Sequence, residues 1–158
     1  MIDFKKIETN YYSHYKNPMV GVKSYLEQWV GENLKSKEIA TVLRQWQNYR
    51  GERCGRYEIY DVDLSNVEFD GQDLSGLIFD RCIMVQTSFK NCVLKNTFFS
   101  FCLEHFFFIE PESFEGAIFD NTKIEGNPSV KMRNFLHQKG TNRVPLYSIS
   151  VDGKVRMY

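Results

Sequence analysis

Residues that could carry out chemistry are few in this sequence, and their spacing brings none of them together. The cysteines and histidines are Cys54, Cys82, Cys92, Cys102, His14, His105 and His137. They show no CxxC or HxxxH spacing, so we expect no metal site and no cofactor. No Ser-His-Asp or Cys-His arrangement and no glycine-rich phosphate loop is recognisable by spacing. The sequence therefore predicts a protein that is not an enzyme.

The acidic residues suggest a surface rather than an active site. Carboxylates occur in pairs, which are Asp61 with Asp63 and Glu110 with Glu112. We interpret these pairs as parts of a solvated face. The 158 residues have a net charge of zero, but the charge is +3 in residues 1–55, −8 in residues 56–126 and +5 in residues 127–158. Because the centre is acidic, we expect no direct binding of nucleic acid.

The elements that must position these residues follow a repeat of five residues that starts at Tyr57. Thirteen of the fourteen third positions are large and apolar. These third positions are Ile59, Leu64, Phe69, Leu74, Phe79, Met84, Phe89, Leu94, Phe99, Glu104, Ile109, Phe114, Phe119 and Ile124. The fifth position is Gly or Asn in eight units, and both residues tolerate the positive φ of tight turns. The pattern predicts a chain that turns every five residues and stacks its coils at about 4.8 Å.

Several of these units are similar to those of a known family. The units VDLSN, VEFDG, QDLSG, TSFKN, CVLKN, ESFEG and AIFDN resemble pentapeptide repeats. The resemblance covers residues 57–126 and implies a mostly β fold, a right-handed quadrilateral β-helix with four units in each coil. It implies no single activity, because members of the family differ in function.

A coil of four units predicts which side chains stack. The predicted columns are Ile59, Phe79, Phe99 and Phe119; Leu74, Leu94 and Phe114; and Val62, Cys82, Cys102 and Thr122. We interpret the stacked thiols as small core residues, with a regulatory disulfide between Cys82 and Cys102 as the alternative. Glu104 falls at an inward position, beneath Met84 and above Ile124. Since an unpartnered buried carboxylate is costly, we expect either a bulge there or a polar partner for Glu104.

The ends of the chain are expected to cover the open ends of the β-helix. We divide the chain into a polar N-terminal segment (1–16), a helical cap (17–55), the repeats (56–126) and a C-terminal cap (127–158). The N-terminal segment is expected to be loosely attached. A first helix should begin at Asn17-Pro18, and a second should run from Ser36 to Arg50 with Gly51 as its stop.

The C-terminal cap is predicted to contain a helix and a β-hairpin. Asn127-Pro128 should begin the helix, which should continue to about Lys139 and be ended by Gly140. The sequence LYSISV-DG-KVRMY is typical of a hairpin that turns at Asp152-Gly153.

Apolar residues at outward positions predict a partner-binding surface. These residues are Ile78, Phe98, Phe101, Phe106, Phe108 and Ile118. The coil places Ile78, Phe98 and Ile118 in one external ladder. Monomers seldom expose such a contiguous apolar area, so either the terminal elements cover it or it binds a second copy or another protein.

A second predicted surface is acidic. Its members are Asp61, Asp63, Glu68, Asp70, Asp73, Asp80 and Asp120. The resemblance implies an alternative function here, because some pentapeptide-repeat proteins resemble duplex DNA and bind DNA gyrase or topoisomerase in its place. Fourteen units give a rod of only about 17 Å, which is short for such mimicry.

The favoured function is a non-catalytic protein–protein interaction module whose partner the sequence does not name. A bacterial effector or toxin-neutralising protein that acts by binding a partner is a further alternative. No run of about 18 apolar residues and no apolar leader is present, so we expect a cytoplasmic protein without a membrane segment, with translocation out of the cell left open.

Overall fold

The computed structural model describes residues 2–7, 25–103, 109–140, 146–149 and 155–157. Residues 4–7 are helical. The longer helices are α1 (Tyr25–Glu32), α2 (Ile39–Cys54) and α3 (Val130–Gly140), and a 3₁₀ helix covers Pro111–Phe114. The strands are β1 (Ile59–Tyr60), β2 (Ile78–Asp80), β3 (Phe98–Ser100), β4 (Lys123–Glu125), β5 (Leu146–Ile149) and β6 (Val155–Met157).

The strands form one sheet in the order of the chain. Neighbours from β1 to β5 are parallel, and only β5 and β6 are antiparallel. Isolated parallel bridges lie in the segments of chain that connect these strands. Three of these bridges join residues four pentapeptide units apart, namely Asp63 to Ile83, Glu68 to Ser88, and Asp73 to Val93. Successive stretches of four units are therefore hydrogen-bonded side by side along four ladders, which is a β-helix-like arrangement.

The turns of this arrangement lie at every fifth residue. Twelve described fifth positions have a positive φ: Asp61, Asn66, Gly71, Gly76, Arg81, Gln86, Asn91, Asn96, Phe101, Gly116, Asn121 and Gly126. Eight of the twelve are the Gly and Asn residues that the sequence predicted to be turns, and this prediction is confirmed. Of the other four, Asp61 is of a type that tolerates this conformation, whereas Arg81, Gln86 and Phe101 are not.

Third-position side chains stack inside the coils, as predicted. Ile59 pairs with Phe79, and Phe79 pairs with Phe99. The rings of Phe79 and Phe99 are stacked with their centroids 5.4 Å apart. A neighbouring stack joins Phe69 to Phe89 at 5.3 Å, and all of these side chains are fully buried. The first three members of the column that begins with Ile59 are therefore confirmed.

The fourth member of that column is wrong, because the coil becomes longer after β3. Phe99 pairs with Ile124, five units later, and not with Phe119. Asp80 and Ser100 are paired neighbours four units apart. The Phe69 N–H donates to the carbonyl of Ser88, but one coil later the Phe89 N–H donates to the carbonyl of Ser113, which is one unit further along the chain than the same spacing would give. One extra unit therefore enters the coil between Ser100 and Ser113. This extra length agrees with the predicted bulge, although Glu104 lies outside the described residues, as do Phe106 and Phe108.

The same extra unit displaces three other predicted neighbours. Phe114 stacks on Phe89, with centroids 4.9 Å apart, and so it does not follow Leu94. Ile118 bridges to Val93 and is not in the ladder of Ile78 and Phe98. The Thr122 hydroxyl donates to the carbonyl of Leu94, so Thr122 does not stand in the column of Cys102. Each of these side chains has the predicted inward or outward direction, but it lies one side of the coil away from its predicted place.

We expect the protein to tolerate a deletion of residues 104–108. The deletion would leave four units between Met84 and Ile109, so Ile109 would take the inward position one coil after Met84. We expect the deletion variant to retain the far-UV circular dichroism spectrum and to lose no more than about 1 kcal/mol of unfolding free energy. The matched control removes residues 104–107 only. It should be severely destabilised, because every later side chain would change its direction. Equal stability of the two variants would contradict the register.

The N-terminal helices cover the first coil, and polar side chains of α2 form hydrogen bonds with backbone groups at its open edge, as a neighbouring strand would. The Gln47 side chain accepts a hydrogen bond from the Ile78 N–H at 2.8 Å and donates one to the Gly76 carbonyl at 3.0 Å. Arg44 donates to the carbonyls of Asp73 and Ser75 at 3.2 and 2.8 Å. The backbone groups that an open coil edge would leave unpaired are thus satisfied.

Two details of the N-terminal region differ from the prediction. α2 continues through Gly51 to Cys54, because Gly55 adopts the left-handed conformation that ends a helix, with a φ of 76°. Position 51, within α2, is occupied by glycine because a Cβ there would collide with the ring of Tyr57. The expected loose attachment of the N-terminus is wrong for residues 2–7, because Phe4 stacks on α2 and Ile7 is fully buried. The predicted helix start at Asn17-Pro18 lies outside the described residues.

The predicted C-terminal helix and hairpin strands are present, but α3 begins at Val130 and not at the predicted Asn127-Pro128. α3 ends at Gly140 and buries Met132 and Leu136. The Phe135 ring lies 6.3 Å from the ring of Phe114, so α3 packs against the last coil. β5 extends the sheet beyond β4, and β6 pairs with β5 as a hairpin. The turn predicted at Asp152-Gly153 lies outside the described residues.

Gln47→Leu should destabilise the protein by about 1–3 kcal/mol, because it leaves the N–H of Ile78 and the carbonyl of Gly76 without their partner. Urea unfolding measures this change. Gln45→Leu is the control, since Gln45 is exposed on the same helix, and it should change stability by less than about 0.5 kcal/mol. Equal effects of the two substitutions would show that Gln47 is not a cap.

Candidate partner-binding surface

The interior of the coils is filled and hydrogen-bonded. Hydroxyl groups at first positions donate to third-position carbonyls of the preceding coil, as in Thr87 to Leu64 at 2.9 Å and Thr97 to Leu74 at 2.8 Å. Thiols do the same at Cys82, Cys92 and Cys102, at 3.1–3.3 Å. The pattern leaves no room for a substrate between the described side chains of the stacked coils.

Two of the buried thiols, Cys82 and Cys92, are poor nucleophiles. Burial raises the pKa of the Cys92 thiol to about 11. Burial and the adjacent Cys102 thiol raise the pKa of Cys82 well above its usual range. All four cysteines are free thiols, and only Cys54 is exposed. Within the described ranges, no three His, Cys, Asp or Glu side chains are close enough to hold a metal ion. These thiols therefore serve the core, as the sequence analysis interpreted them.

The raised pKa of Cys92 predicts a loss of stability at alkaline pH. Above about pH 8.5 the unfolded thiol loses its proton, while the folded thiol keeps it up to about pH 11, so the unfolding free energy falls between these values. Cys92→Thr keeps a donor for the Phe69 carbonyl but removes this titration. Between about pH 8 and pH 10.5, we expect the wild type to lose about 2 kcal/mol more than Cys92→Thr in urea unfolding. Cys54→Ser should lose as much as the wild type, and parallel losses in all three proteins would refute the assignment.

The apolar surface candidates are divided between different sides of the coil. Ile78 and Phe98 are paired neighbours in β2 and β3, both half-buried, and Lys123 follows them in the ladder. Ile118 is 56% exposed, but it lies beside Val93 on another side. The predicted ladder of three apolar residues is therefore reduced to two.

Phe101 stands at the corner that follows β3. Its ring packs against the guanidinium of Arg81, with 5.4 Å between the Arg81 Cζ and the ring centroid. Arg81 in turn pairs with Asp80 at 3.1 Å. Ile83, which bridges to Asp63 on the next side of the coil, is 39% exposed. We call this surface the aromatic corner, and it consists of Ile78, Arg81, Ile83, Phe98 and Phe101.

The acidic candidates do not form one continuous stripe. They occur on all four sides of the coil, and several have local partners. Glu68 pairs with Lys35 at 3.7 Å, and Asp80 pairs with Arg81. Asp63 and Asp73 accept hydrogen bonds from the N–H groups of Ser65 and Ser75, Asp70 accepts one from the Ser88 hydroxyl, and Asp61 and Asp120 are half-buried. Hydrogen bonds from Ser75, with a contribution from Arg44, hold the pKa of Asp73 below its usual range.

The role of the capping side chains was not recognised from the sequence. Gln72 breaks the preference for a small residue at the first position, and this was the available signal. Its side chain accepts from the Ala40 N–H at 3.1 Å and donates to the Ser36 carbonyl at 3.2 Å. Gln47 and Arg44 carry no such signal, because a polar residue on a surface helix is common.

Comparisons with known proteins identify the repeats. The family model described as Pentapeptide repeats matches residues 60–96 with eight copies. The resemblance inferred from the sequence is thus confirmed for this segment. Searches of curated proteins and of solved structures gave no significant match. None of the described helices is both long enough and apolar enough to cross a membrane.

Proposed function

Since residues 60–96 are pentapeptide repeats, we propose that the chain is a non-catalytic module that binds another protein through the outer surface of its coils. Pentapeptide-repeat proteins are generally structural or interaction modules rather than enzymes. We further propose that the repeats close into a right-handed quadrilateral β-helix, with the helices and the hairpin as its two caps. The free thiols suit a reducing cytoplasm.

The filled interior is the observation that carries this proposal. Stacked phenylalanines and buried hydroxyl or thiol donors occupy the inward positions of the described coils. Enzymes need a concave site with convergent polar groups, and such a site is not compatible with these inward positions. In the described coils only the outward positions are left to act, and this supports a binding function.

The aromatic corner is the favoured contact site. Aromatic residues and arginine are the types that contribute most binding energy in protein interfaces. Phe106 and Phe108, further contact residues predicted from the sequence, lie outside the described residues, and Ile118 would form a separate contact on another side. A second copy of the chain is one partner that fits, since the apolar residues of two corners could pack on each other.

The acidic DNA mimic is the second candidate, and the charge of −8 over residues 56–126 is what favours it. Its weakness is the distribution of the carboxylates, because a mimic needs negative charges spaced like phosphates along one surface. An effector or toxin-neutralising role is a special case of the binding module and needs the identity of the partner.

Site-specific photo-crosslinking tests the proposal in cells that naturally produce the protein. We expect benzoylphenylalanine in place of Phe98 or Ile83 to give a discrete heavier adduct, while the same group in place of the exposed Lys90 or Lys95 gives none. An adduct of twice the chain mass would identify a homodimer. Adducts from Asp70 and Asp73 that contain gyrase or topoisomerase would favour the DNA mimic. The absence of adducts from Phe98 and Ile83, or equal yields from all four positions, would reject the aromatic corner.

A further inference from the structure

Backbone strain is concentrated at one corner of the coil. At the other three corners, the described turns with a positive φ are Gly or Asn except at Gln86. At this corner the first three turns are Asp61, Arg81 and Phe101, with φ of 54°, 55° and 53°. A left-handed conformation is costly for a long or aromatic side chain, and glycine or asparagine would avoid that cost.

The coil holds this conformation firmly. The N–H of Arg81 donates to the Ser100 carbonyl at 2.8 Å, and the N–H of Phe101 donates to the Glu125 carbonyl at 2.8 Å. These ladder bonds determine the backbone whichever side chain is present. The side chains of Arg81 and Phe101 are therefore not needed to form the turns, and their presence calls for another reason.

The two side chains are in contact at the surface, and Arg81 is also held by Asp80. Arg81 donates to both oxygens of Asp80, at 3.1 and 3.2 Å, and its guanidinium lies against the Phe101 ring. The Arg81 side chain is 55% exposed even in this arrangement. A side chain that is already fixed loses little conformational entropy when a partner binds.

The geometry points to Phe101, supported by Arg81, as the anchor of the binding surface, and to a basic amphipathic helix of a partner protein as its occupant. This inference rests on the proposed function. The apolar part of such a helix would cover Phe101, Phe98 and Ile83. Its lysines and arginines would meet the carboxylates of Asp61 and Asp63 beside the corner, while Asp80 is paired with Arg81 and Glu58 with Arg56.

The test uses a synthetic helix as the probe. It is a peptide of about 18 residues, five helical turns, with leucines along one face and lysines on the other. Fluorescence anisotropy at physiological salt measures its binding to the full chain. We expect the wild type to bind this peptide, and Phe101→Asn to bind it at least about tenfold more weakly. The Tm of Phe101→Asn should be unchanged or higher, because asparagine tolerates the left-handed turn.

Gln86→Asn is the matched control, since Gln86 is an exposed turn residue with a φ of 57° on the next corner. It should bind the leucine–lysine peptide as the wild type does. A peptide with glutamates in place of the lysines should bind at least about tenfold more weakly than the lysine peptide.

Four outcomes would overturn the inference. These are wild-type affinity in Phe101→Asn, a fall in its Tm of more than about 5 °C, a loss of binding in Gln86→Asn, and no preference of the wild type for the lysine peptide. A fall in Tm would show that Phe101 serves the fold. If crosslinks form from Phe98 but the lysine peptide does not bind, the proposed function stands and only this choice of occupant is wrong.

Discussion

A turn of the same hand at every fifth residue is the constraint on which the rest of this structure depends. Twelve of the thirteen described fifth positions have a positive φ, and after each of them the chain runs along the next side of the coil. After four turns the backbone lies beside itself, and its N–H and carbonyl groups pair between coils, as in Leu64 to Ile83 at 2.8 Å. Inward and outward directions follow from this geometry. The coil can therefore change its length only by whole units, and the step from four units to five after β3 is such a change.

The sequence predicted what depends on single units and failed where the number of units matters. Leu, Phe, Gly and Asn at fixed places within a unit are sufficient to predict the inward side chains and the turns. The neighbour of Phe99 depends on how many units the next coil contains, and no property of Phe119 or Ile124 specifies that number. Only the hydrogen-bond register shows that Ile124 is the neighbour. For the same reason Ile118, a candidate for the apolar ladder, lies beside Val93.

The errors at the N-terminal cap have a different physical origin. Gly51 and Gly55 are equally plausible helix stops in the sequence, and the helix ends at Gly55 because only that residue is left-handed. The reason for Gly51 is the Tyr57 ring, which belongs to the chain after the helix. Gln47, Arg44 and Gln72 likewise act through backbone groups in distant parts of the sequence. Sequence patterns describe near neighbours, and these contacts depend on how the helices lie on the first coil.

The regularity of the coil also separates stability from binding in an unusual way. In most domains a surface residue contributes to both, so its presence does not show which one it serves. Here twelve of the thirteen described fifth positions have a positive φ, with Pro111 as the exception, and glycine or asparagine occupies most of them, so the residue that folding prefers is known at these turns. A departure such as Arg81 or Phe101 can then be compared with its equivalents in neighbouring units of the same chain. Arg81 and Phe101 depart toward higher backbone energy and leave a cation and part of an aromatic ring at the surface, and for this reason the contact site is proposed there.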